Sequence, residues 1–280
     1  MLLGLLLASQ FWLMSDRASF WDDEKISNHT EFMHGSNLQK ATLSSKETKG
    51  KNVLLLVHGY NNNPEEALTT YRLINIHLLS FNQDRQSKLY DLVIGYLWPG
   101  DDSSLEYYDA KRHVSKLAKT MRSHLEFLSA SAARVDVLAH SMGNRLMLEA
   151  LNYHSNATKK IVHNFYSFAA AVDNESIEIN EKYYPSTLNC EKIFVFYSKR
   201  DDVLKWYYGL AEWDKALGYE GAENPKKLPE NVQLVNYTNF VGQHSQYFSV
   251  APIYEFIKKQ FLSSNSEKHS VLQRPRKVID

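Results

Sequence analysis

Residues 135–143 read VDVLAHSMG, an apolar run that leads into a serine with a small residue two positions away on each side. The residues that follow, 144–152, have the composition of a helix. A serine on a tight turn between strand and helix lies at the edge of a parallel sheet, where backbone N–H groups and the positive helix end stabilise negative charge. The usual residue at the first position of such a turn is glycine, and this chain has Ala139. Alanine is still small enough for the close approach of the strand and helix backbones. The stretch therefore predicts Ser141 as a nucleophile.

Apolar runs alternate with helix signals along most of the chain. Residues 53–57, VLLLV, are continuously apolar, as expected for a strand buried on both faces of a parallel sheet. After them, residues 61–66 read NNNPEE, which combines capping side chains, a proline in the first turn and acids near the positive helix end. The other predicted strands are 89–98, 135–139, 161–170, 193–197 and 232–235, and the predicted helices are about 64–79, 103–128, 144–152 and 247–262. This alternation predicts an α/β fold with a doubly wound, mostly parallel sheet, helices on both faces and a small lid or none.

Length and composition restrict the class of protein. At 280 residues and 44% hydrophobic, the chain is expected to bury one large core. Lysine plus arginine and aspartate plus glutamate both number 32, so no net positive field indicates a nucleic-acid partner. The single cysteine, Cys190, excludes an intrachain disulfide and fits a cytoplasmic location. No HExxH, CxxC or glycine-rich phosphate motif occurs, so we expect neither a metal ion nor a cofactor.

The amino terminus is apolar but short. Residues 1–8 read MLLGLLLA, whereas a bilayer span needs about 20 apolar residues. A secretory signal usually begins with lysine or arginine, and neither precedes Asp16. We therefore expect one or two buried strands here and no membrane association. A targeting or anchoring role, and with it export, stays open as the alternative.

Composition divides the chain into three segments. Residues 1–49 form an amino-terminal extension, in which a weak alternation around residues 30–43 indicates a hairpin on the sheet edge. Residues 50–262 carry the alternating pattern and form the main domain. Residues 263–280 are polar and are expected to form a flexible tail.

A nucleophilic serine requires a base, and the base requires a third group that orients it. Four histidines follow Ser141 in the chain: His154, His163, His244 and His269. Of these, His244 lies in a loop between the last predicted strand and the final predicted helix. Its position selects it as the candidate base.

Two aspartates compete for the role of the acid. Asp201 follows the predicted strand 193–197, and Asp173 follows the earlier strand 161–170. A carboxylate just beyond the carboxyl end of a strand is well placed to orient a histidine. Asp201 is preferred for its position and Asp173 is the alternative acid. The aspartate that does not act is expected to cap a helix.

Backbone donors for an oxyanion are predicted at two places. One is the N–H of Met142, directly after the nucleophile. The other is the N–H of Tyr60, in the loop after strand 53–57, where Gly59 allows the backbone to turn close to a substrate.

Three aromatic residues are candidates for lining a substrate site: Trp98, Trp206 and Tyr207. Packing at a strand end or on a helix explains aromatic residues at these positions equally well. The stretch 204–229, which contains two of the three, is long enough to form a small cap.

Five segments together resemble the α/β-hydrolase superfamily and span about residues 50–262. They are most similar to a bacterial branch of uncharacterised hydrolases in which HGYNN, a Trp-Pro after the next strand, and AHSMGNR recur. The resemblance implies Ser141 as nucleophile, His244 as base and Asp201 as acid, and it brings no settled substrate. Where that branch often has Pro-Asp, this chain reads AVD up to Asp173, which leaves the role of Asp173 open. The segments are VLLLVHGYNNNPEEA, VIGYLWPGDDSSLEYYDA, VDVLAHSMGNRLMLEAL, VFYSKRDDVL and GQHSQYF.

Three hypotheses for function follow from these residues. The first is a serine hydrolase that cleaves a small-molecule carboxylic ester or thioester through an acyl-enzyme intermediate. The second is an acyltransferase that uses the same groups, with an alcohol or amine in place of water. The third is a catalytically idle domain that binds a partner, and the complete set of candidate groups argues against it.

Overall fold

Nine strands form one sheet in the computed structural model, which describes residues 11–20, 25–35, 37–80, 89–100, 107–153 and 159–272. The strands are β1 Phe11–Arg17, β2 Ile26–His34, β3 Gln39–Lys40, β4 Asn52–Val57, β5 Leu92–Leu97, β6 Arg134–His140, β7 Val162–Phe168, β8 Cys190–Tyr197 and β9 Val232–Asn236. Their order in the sheet is β3-β2-β1-β5-β4-β6-β7-β8-β9. β1 and β4 to β9 pair in parallel, whereas β2 is antiparallel to both β1 and β3. The predicted, mostly parallel sheet is confirmed.

Helices flank these strands. The described α-helices are α1 Ser45–Thr48, α2 Pro64–Ser80, α3 Tyr107–Ser131, α4 Met142–Asn152, α5 Tyr184–Thr187, α6 Gly209–Glu212, α7 Leu217–Glu220 and α8 Ala251–Leu272. A π-helix covers Val203–Tyr208, and short 3₁₀ turns cover Pro225–Lys227 and Gln246–Ser249. None of the described helices combines the length and the hydrophobicity that crossing a membrane requires.

The central strand β4 shows why helices cover both faces. All five residues 53–57 are buried. Leu54 and Leu56 pack in the core that contains α2 and α8. The alternate residues Val53, Leu55 and Val57 pack in the core that contains α3 and α4. Because side chains alternate along a strand, a strand covered on both faces is apolar throughout. The doubly wound arrangement is therefore the one that the apolar run predicts.

Several element boundaries differ from the prediction. β5 begins at Leu92 rather than at residue 89, and the expected cap of α3 lies in residues 101–106, outside the described residues. The last helix begins at Ala251, with Pro252 in its first turn, where proline is favoured. It continues to Leu272, because no glycine or proline interrupts it, so the boundary expected at residue 262 falls inside the helix.

The first strand lies within the sheet. β1 pairs in parallel with β5 and antiparallel with β2, and all seven of its residues are buried. The edge of the sheet on this side is formed by β2 and β3. Residues 1–8, for which buried strands were expected, lie outside the described residues.

β1 carries a buried carboxylate. Asp16 accepts hydrogen bonds from the hydroxyls of Thr30 at 2.6 Å and Tyr96 at 2.7 Å, and His124 Nε2 lies 2.9 Å from it. These partners come from β2, β5 and α3, so Asp16 ties the first strand to three other elements. Burial opposes ionisation of Asp16, but His124, Thr30 and Tyr96 together outweigh burial and lower the pKa of this carboxyl below its ordinary value.

Replacement of Asp16 by asparagine is expected to lower the free energy of unfolding at about pH 7 by about 1–3 kcal/mol, because a buried network loses its charged acceptor. Since the pKa of Asp16 is lower in the folded than in the unfolded protein, its stabilisation is present above the unfolded-state pKa and is lost as the pH falls through the folded-state pKa. Urea denaturation of both proteins at about pH 7 and about pH 3 measures this. A difference between them that does not shrink at the lower pH would contradict the prediction.

Candidate active site

Ser141 lies at the junction between β6 and α4. Its backbone has φ 53° and ψ −125°, a conformation that is uncommon for residues other than glycine. Hydrogen bonds hold it there: the Ser141 N–H donates to the Phe168 carbonyl at 3.0 Å, and Asn144 donates its backbone N–H at 3.0 Å and its side-chain amide at 3.1 Å to the Ser141 carbonyl. The structure thus has the strand, turn and helix that the sequence predicts, with Ser141 at the carboxyl end of a central strand.

Two glycines let the serine turn and the loop after β4 touch. A Cβ atom on Gly143 would lie 2.4 Å from the carbonyl oxygen of His58 and 2.8 Å from that of Val57. A Cβ atom on Gly59 would lie 2.7 Å from the Cβ of Ser141. No side chain fits at either position without displacing backbone or the serine itself. The sequence predicts a close backbone approach at Ala139. The structure has such an approach at Gly143, where even a methyl group does not fit.

His244 and Asp201 form a hydrogen-bonded pair. Nδ1 of His244 lies 2.8 Å from Oδ2 of Asp201, and the Asp201 side chain is fully buried. The other carboxylate oxygen accepts the Leu204 N–H at 3.0 Å. Because a carboxylate accepts hydrogen bonds, Nδ1 of His244 is the donor in this pair, and Nε2 is the other nitrogen of the ring.

Asp173, the alternative acid, has a different partner. Its carboxylate accepts a hydrogen bond from the Tyr208 hydroxyl. We expected the aspartate that does not contact the histidine to cap a helix. The bond of this kind is instead made by Asp201, whose Oδ1 accepts the Leu204 N–H at the start of the π-helix. The structure therefore brings Asp201, and not Asp173, to His244.

Three donors and acceptors fix the ring of His58, at the end of β4. Nδ1 of His58 lies 2.7 Å from the Gly59 carbonyl oxygen, and Nε2 accepts the Trp98 N–H at 3.3 Å and lies 3.2 Å from Nη2 of Arg17. The indole of Trp98 stacks on this ring with centroids 5.4 Å apart, and its N–H donates to the His58 carbonyl at 2.9 Å. Burial, and after it the charge of Arg17, lowers the pKa of His58 to about 3. His58 is therefore neutral at physiological pH.

His140, which precedes the nucleophile, is a residue that the sequence did not single out. Its Nε2 donates to the backbone carbonyl of His244 at 2.9 Å, and the two rings lie 4.5 Å apart. Burial, followed by the nearby His244, lowers the pKa of His140 to about 3. His140 thus supports the backbone of the candidate base as a neutral donor. Its place next to Ser141 was the only signal in the sequence.

A cavity of about 840 Å³ contains the candidate groups. Ser141 and His244 line it, as do Tyr60 and Met142, the predicted oxyanion donors. Of the three aromatic candidates, Tyr207 lines the cavity. Trp98 is fully buried beneath His58 instead, and Trp206 lies outside the lining with 57% of its surface exposed.

A small cap forms one wall of this cavity. It consists of the π-helix Val203–Tyr208 and α6. Glu212, at the end of α6, accepts hydrogen bonds from the Tyr107 hydroxyl and from Lys111 Nζ, both at 2.7 Å, and lies 3.4 Å from Nη2 of Arg145. Burial opposes ionisation of Glu212, but these partners keep its pKa below the ordinary value. The cap is thus tied to α3 and α4, a link that no sequence motif indicated.

The site contains the groups of serine-based acyl transfer. It places a serine hydroxyl and an imidazole in one cavity, and a carboxylate is hydrogen-bonded to that imidazole. His58 and His140 are engaged with the backbone rather than with the candidate acid. In the part of the chain that the structure describes, no group of three or more His, Cys, Asp or Glu side chains is arranged to hold a metal ion.

A family model described as an alpha/beta hydrolase of unknown function (DUF900) matches residues 34–241. This match covers more than half of the chain. It includes Ser141 and Asp201 and ends shortly before His244. No curated protein matches the sequence.

Solved structures resemble the chain at low identity. Lipase B of Aspergillus fumigatus is 15% identical with a TM-score of 0.47, and the match covers 76% of this chain and 53% of the lipase. The esterase Pf2001 of Pyrococcus furiosus is 14% identical with a TM-score of 0.45, and the match covers 84% of each chain. The chain thus spans about half the length of the Aspergillus lipase. These levels of similarity are too low to transfer an activity.

Replacement of Gly143 by alanine is expected to destabilise the protein by about 1–3 kcal/mol or more, because the new methyl group would overlap the His58 and Val57 carbonyl oxygens. Gly209→Ala is the matched control, since its Cβ would meet its nearest neighbour, the Asp214 carbonyl oxygen, at an ordinary 3.8 Å. Chemical denaturation of both variants measures the difference. Equal free energies of unfolding for the two variants would show that a methyl group at position 143 fits without strain.

Proposed function

The chain belongs to the α/β-hydrolase family of unknown function (DUF900), and on this premise we propose that it is a serine hydrolase that cleaves a carboxylic ester or thioester through an acyl-enzyme. One observation carries the proposal: His244 Nδ1 lies 2.8 Å from Asp201 Oδ2, and His244 lines the same cavity as Ser141. Serine, base and orienting acid in one cavity are what this chemistry needs. The narrower similarity, to the branch with HGYNN and AHSMGNR, stays a prediction.

The first half of the proposed reaction forms the acyl-enzyme. The Ser141 hydroxyl oxygen attacks the carbonyl carbon, while Nε2 of His244 takes the hydroxyl proton. The carbonyl electron pair moves to oxygen and gives a tetrahedral oxyanion. When this intermediate collapses, the bond to the leaving group breaks, and the alcohol or thiol leaves with the proton from His244. Asp201 holds Nδ1 and stabilises the imidazolium that exists between these two proton transfers.

The second half repeats these steps with water. Water attacks the acyl carbon as His244 takes one of its protons. The bond to the Ser141 oxygen then breaks, the carboxylic acid leaves, and the proton returns to the serine. One ester and one water are consumed, and one acid and one alcohol or thiol are released.

The proposed oxyanion donors are the N–H groups of Met142 and Tyr60. Met142 is the first residue of α4, where N–H groups have no acceptor within the helix and the helix dipole favours negative charge. Tyr60 follows Gly59, the residue that brings its loop against Ser141. Donors held in place before the reaction stabilise a developing charge without reorganisation.

The cavity lining favours a neutral, apolar acyl group. Aliphatic and aromatic side chains dominate it, among them Ile74, Leu138, Leu210 and Phe248. The described lining residues include one carboxylate, Glu66, and no lysine or arginine. An acyl chain that ends in a carboxylate would lose its water there and gain no cationic partner.

A fluorophosphonate probe is expected to label the wild-type protein and not Ser141→Ala, because phosphonylation requires the activated hydroxyl. Ser245→Ala is the matched control, since Ser245 also lines the cavity but has no place in the proposed reaction. Intact-protein mass spectrometry measures the labelling. Adducts that persist in Ser141→Ala would overturn the assignment of the nucleophile.

Asp201→Asn is expected to lower kcat by about 10³- to 10⁴-fold, because the amide no longer fixes the histidine in the tautomer that accepts the serine proton. Asp173→Asn is expected to change kcat by less than about 10-fold, because its carboxylate meets Tyr208 rather than His244. Steady-state hydrolysis of a p-nitrophenyl ester measures both. The reverse order of effects would make Asp173 the acid.

A neutral acyl ester is expected to be hydrolysed with a kcat/KM at least about tenfold higher than the ester of the same length that ends in a carboxylate, because the lining offers the charge no partner. p-Nitrophenyl hexanoate and the p-nitrophenyl monoester of adipic acid are a matched pair. Equal values would show that the acyl group does not enter the apolar part of the cavity.

A further inference from the structure

We propose that Arg17, at the end of β1, is a positioning residue for the oxyanion loop, defined here as residues 58–62. The inference rests on the proposed function, in which the Tyr60 N–H of this loop binds the oxyanion. The Arg17 side chain is fully buried. Its Nη2 lies 3.2 Å from His58 Nε2 and donates to the Asn62 carbonyl at 3.2 Å. A single nitrogen atom of β1 thus joins the first and last residues of the loop.

Arg17 also selects the tautomer of His58. A guanidinium donates hydrogen bonds and accepts none, so Nε2 of His58 carries the lone pair and Nδ1 carries the proton. The Trp98 N–H, which donates to the same Nε2 at 3.3 Å, requires the same tautomer. Nδ1 therefore donates to the carbonyl oxygen of Gly59, at 2.7 Å.

The bond to Gly59 fixes the direction of the proposed oxyanion donor. The Gly59 carbonyl and the Tyr60 N–H belong to one planar trans peptide, so they point in opposite directions. The carbonyl faces His58, and the Tyr60 N–H therefore faces away from it. Two successive contacts, from Arg17 to His58 and from His58 to the Gly59–Tyr60 peptide, hold the donor in one orientation.

The sheet explains how residue 17 reaches this loop. β1 runs parallel to β5, with Ser15 opposite Leu97, so the two strands end side by side. β5 in turn pairs with β4, and His58 is the first residue after β4. Arg17 precedes residues 34–241, the part of the chain that the family model matches. The amino-terminal extension thus contributes a buried cation to the loop on which the proposed hydrolysis depends.

Arg17→Gln tests the proposal through the loop and through catalysis. We expect amide hydrogen exchange in residues 59–62 to accelerate at least about tenfold, because the loop loses one of its fixed contacts. We expect kcat to fall about 10- to 100-fold, with KM changed by less than about threefold, because a misplaced donor weakens binding of the transition state more than that of the substrate. Arg17→Lys keeps the charge and is expected to retain part of both properties.

Arg134→Gln is the matched control for loss of a buried arginine. Arg134 begins β6 and so lies at the amino ends of the parallel strands, whereas Arg17 lies at their carboxyl ends. It donates hydrogen bonds to Asp136 at 2.8 Å and to the Phe261 carbonyl at 3.2 Å. Arg134→Gln should lower the thermal stability but leave loop exchange and the kcat of the folded protein unchanged. Unchanged exchange and kcat in Arg17→Gln, or the same losses in Arg134→Gln, would overturn the proposal.

The wild-type protein gives a test that needs no variant. ¹⁵N NMR of the histidine rings should find His58 as the Nδ1–H tautomer, and an Nε2–H tautomer would overturn the proposal, because in that form Nε2 of His58 accepts no hydrogen bond from Arg17. This readout and the exchange of residues 59–62 do not depend on turnover. Failure of Ser141-dependent labelling would therefore reject the proposed function, and these two measurements would still decide whether Arg17 holds the loop.

Discussion

The contact between the first turn of α4 and the end of β4 is the constraint on which the site depends. β4 and β6 are parallel neighbours, with Val57 opposite Ala139, so the chain leaves both strands at the same edge. The turn after β6 must then pass over the carbonyl groups that end β4, at a distance that only a glycine at position 143 permits. The unusual backbone of Ser141 follows from this, and hydrogen bonds from Asn144 and to Phe168 hold it. Backbone strain of this kind costs on the order of 1–3 kcal/mol and persists only where its surroundings enforce it.

Much of this arrangement could be predicted because it depends on strand ends. Apolar runs such as residues 53–57 identify parallel strands, and parallel strands release their following loops at one edge. Ser141, Asp201 and His244 each follow a predicted strand, so their proximity follows from topology alone. The carboxylate that bonds His244 was predicted for the same reason, because β8 ends four residues before Asp201.

The supporting residues could not be predicted, because their roles depend on side-chain directions and strand register. Arg17 stands in no motif, and it reaches His58 only because β1 pairs with β5. Trp98 follows β5 at the cavity edge of the sheet, yet its indole turns beneath His58 rather than into the cavity. In the cap, the wider turn of the π-helix breaks the usual helical spacing, so sequence periodicity could not separate Tyr207, which lines the cavity, from Trp206, which does not.

Three histidines meet at the site, and their surroundings divide the work between them. Burial keeps His58 and His140 neutral, with pKa values of about 3, and each donates its one proton to a backbone carbonyl: His58 to Gly59, and His140 to His244. Neither ring is hydrogen-bonded to a carboxylate among the described residues. His244 is, because Asp201 lies against its Nδ1. His244 is therefore the ring of the three that bonds Asp201, while the two neutral rings hold the backbone on either side of Ser141. The position of the buried Asp201 carboxylate thus distinguishes the candidate base from the two neutral rings beside it.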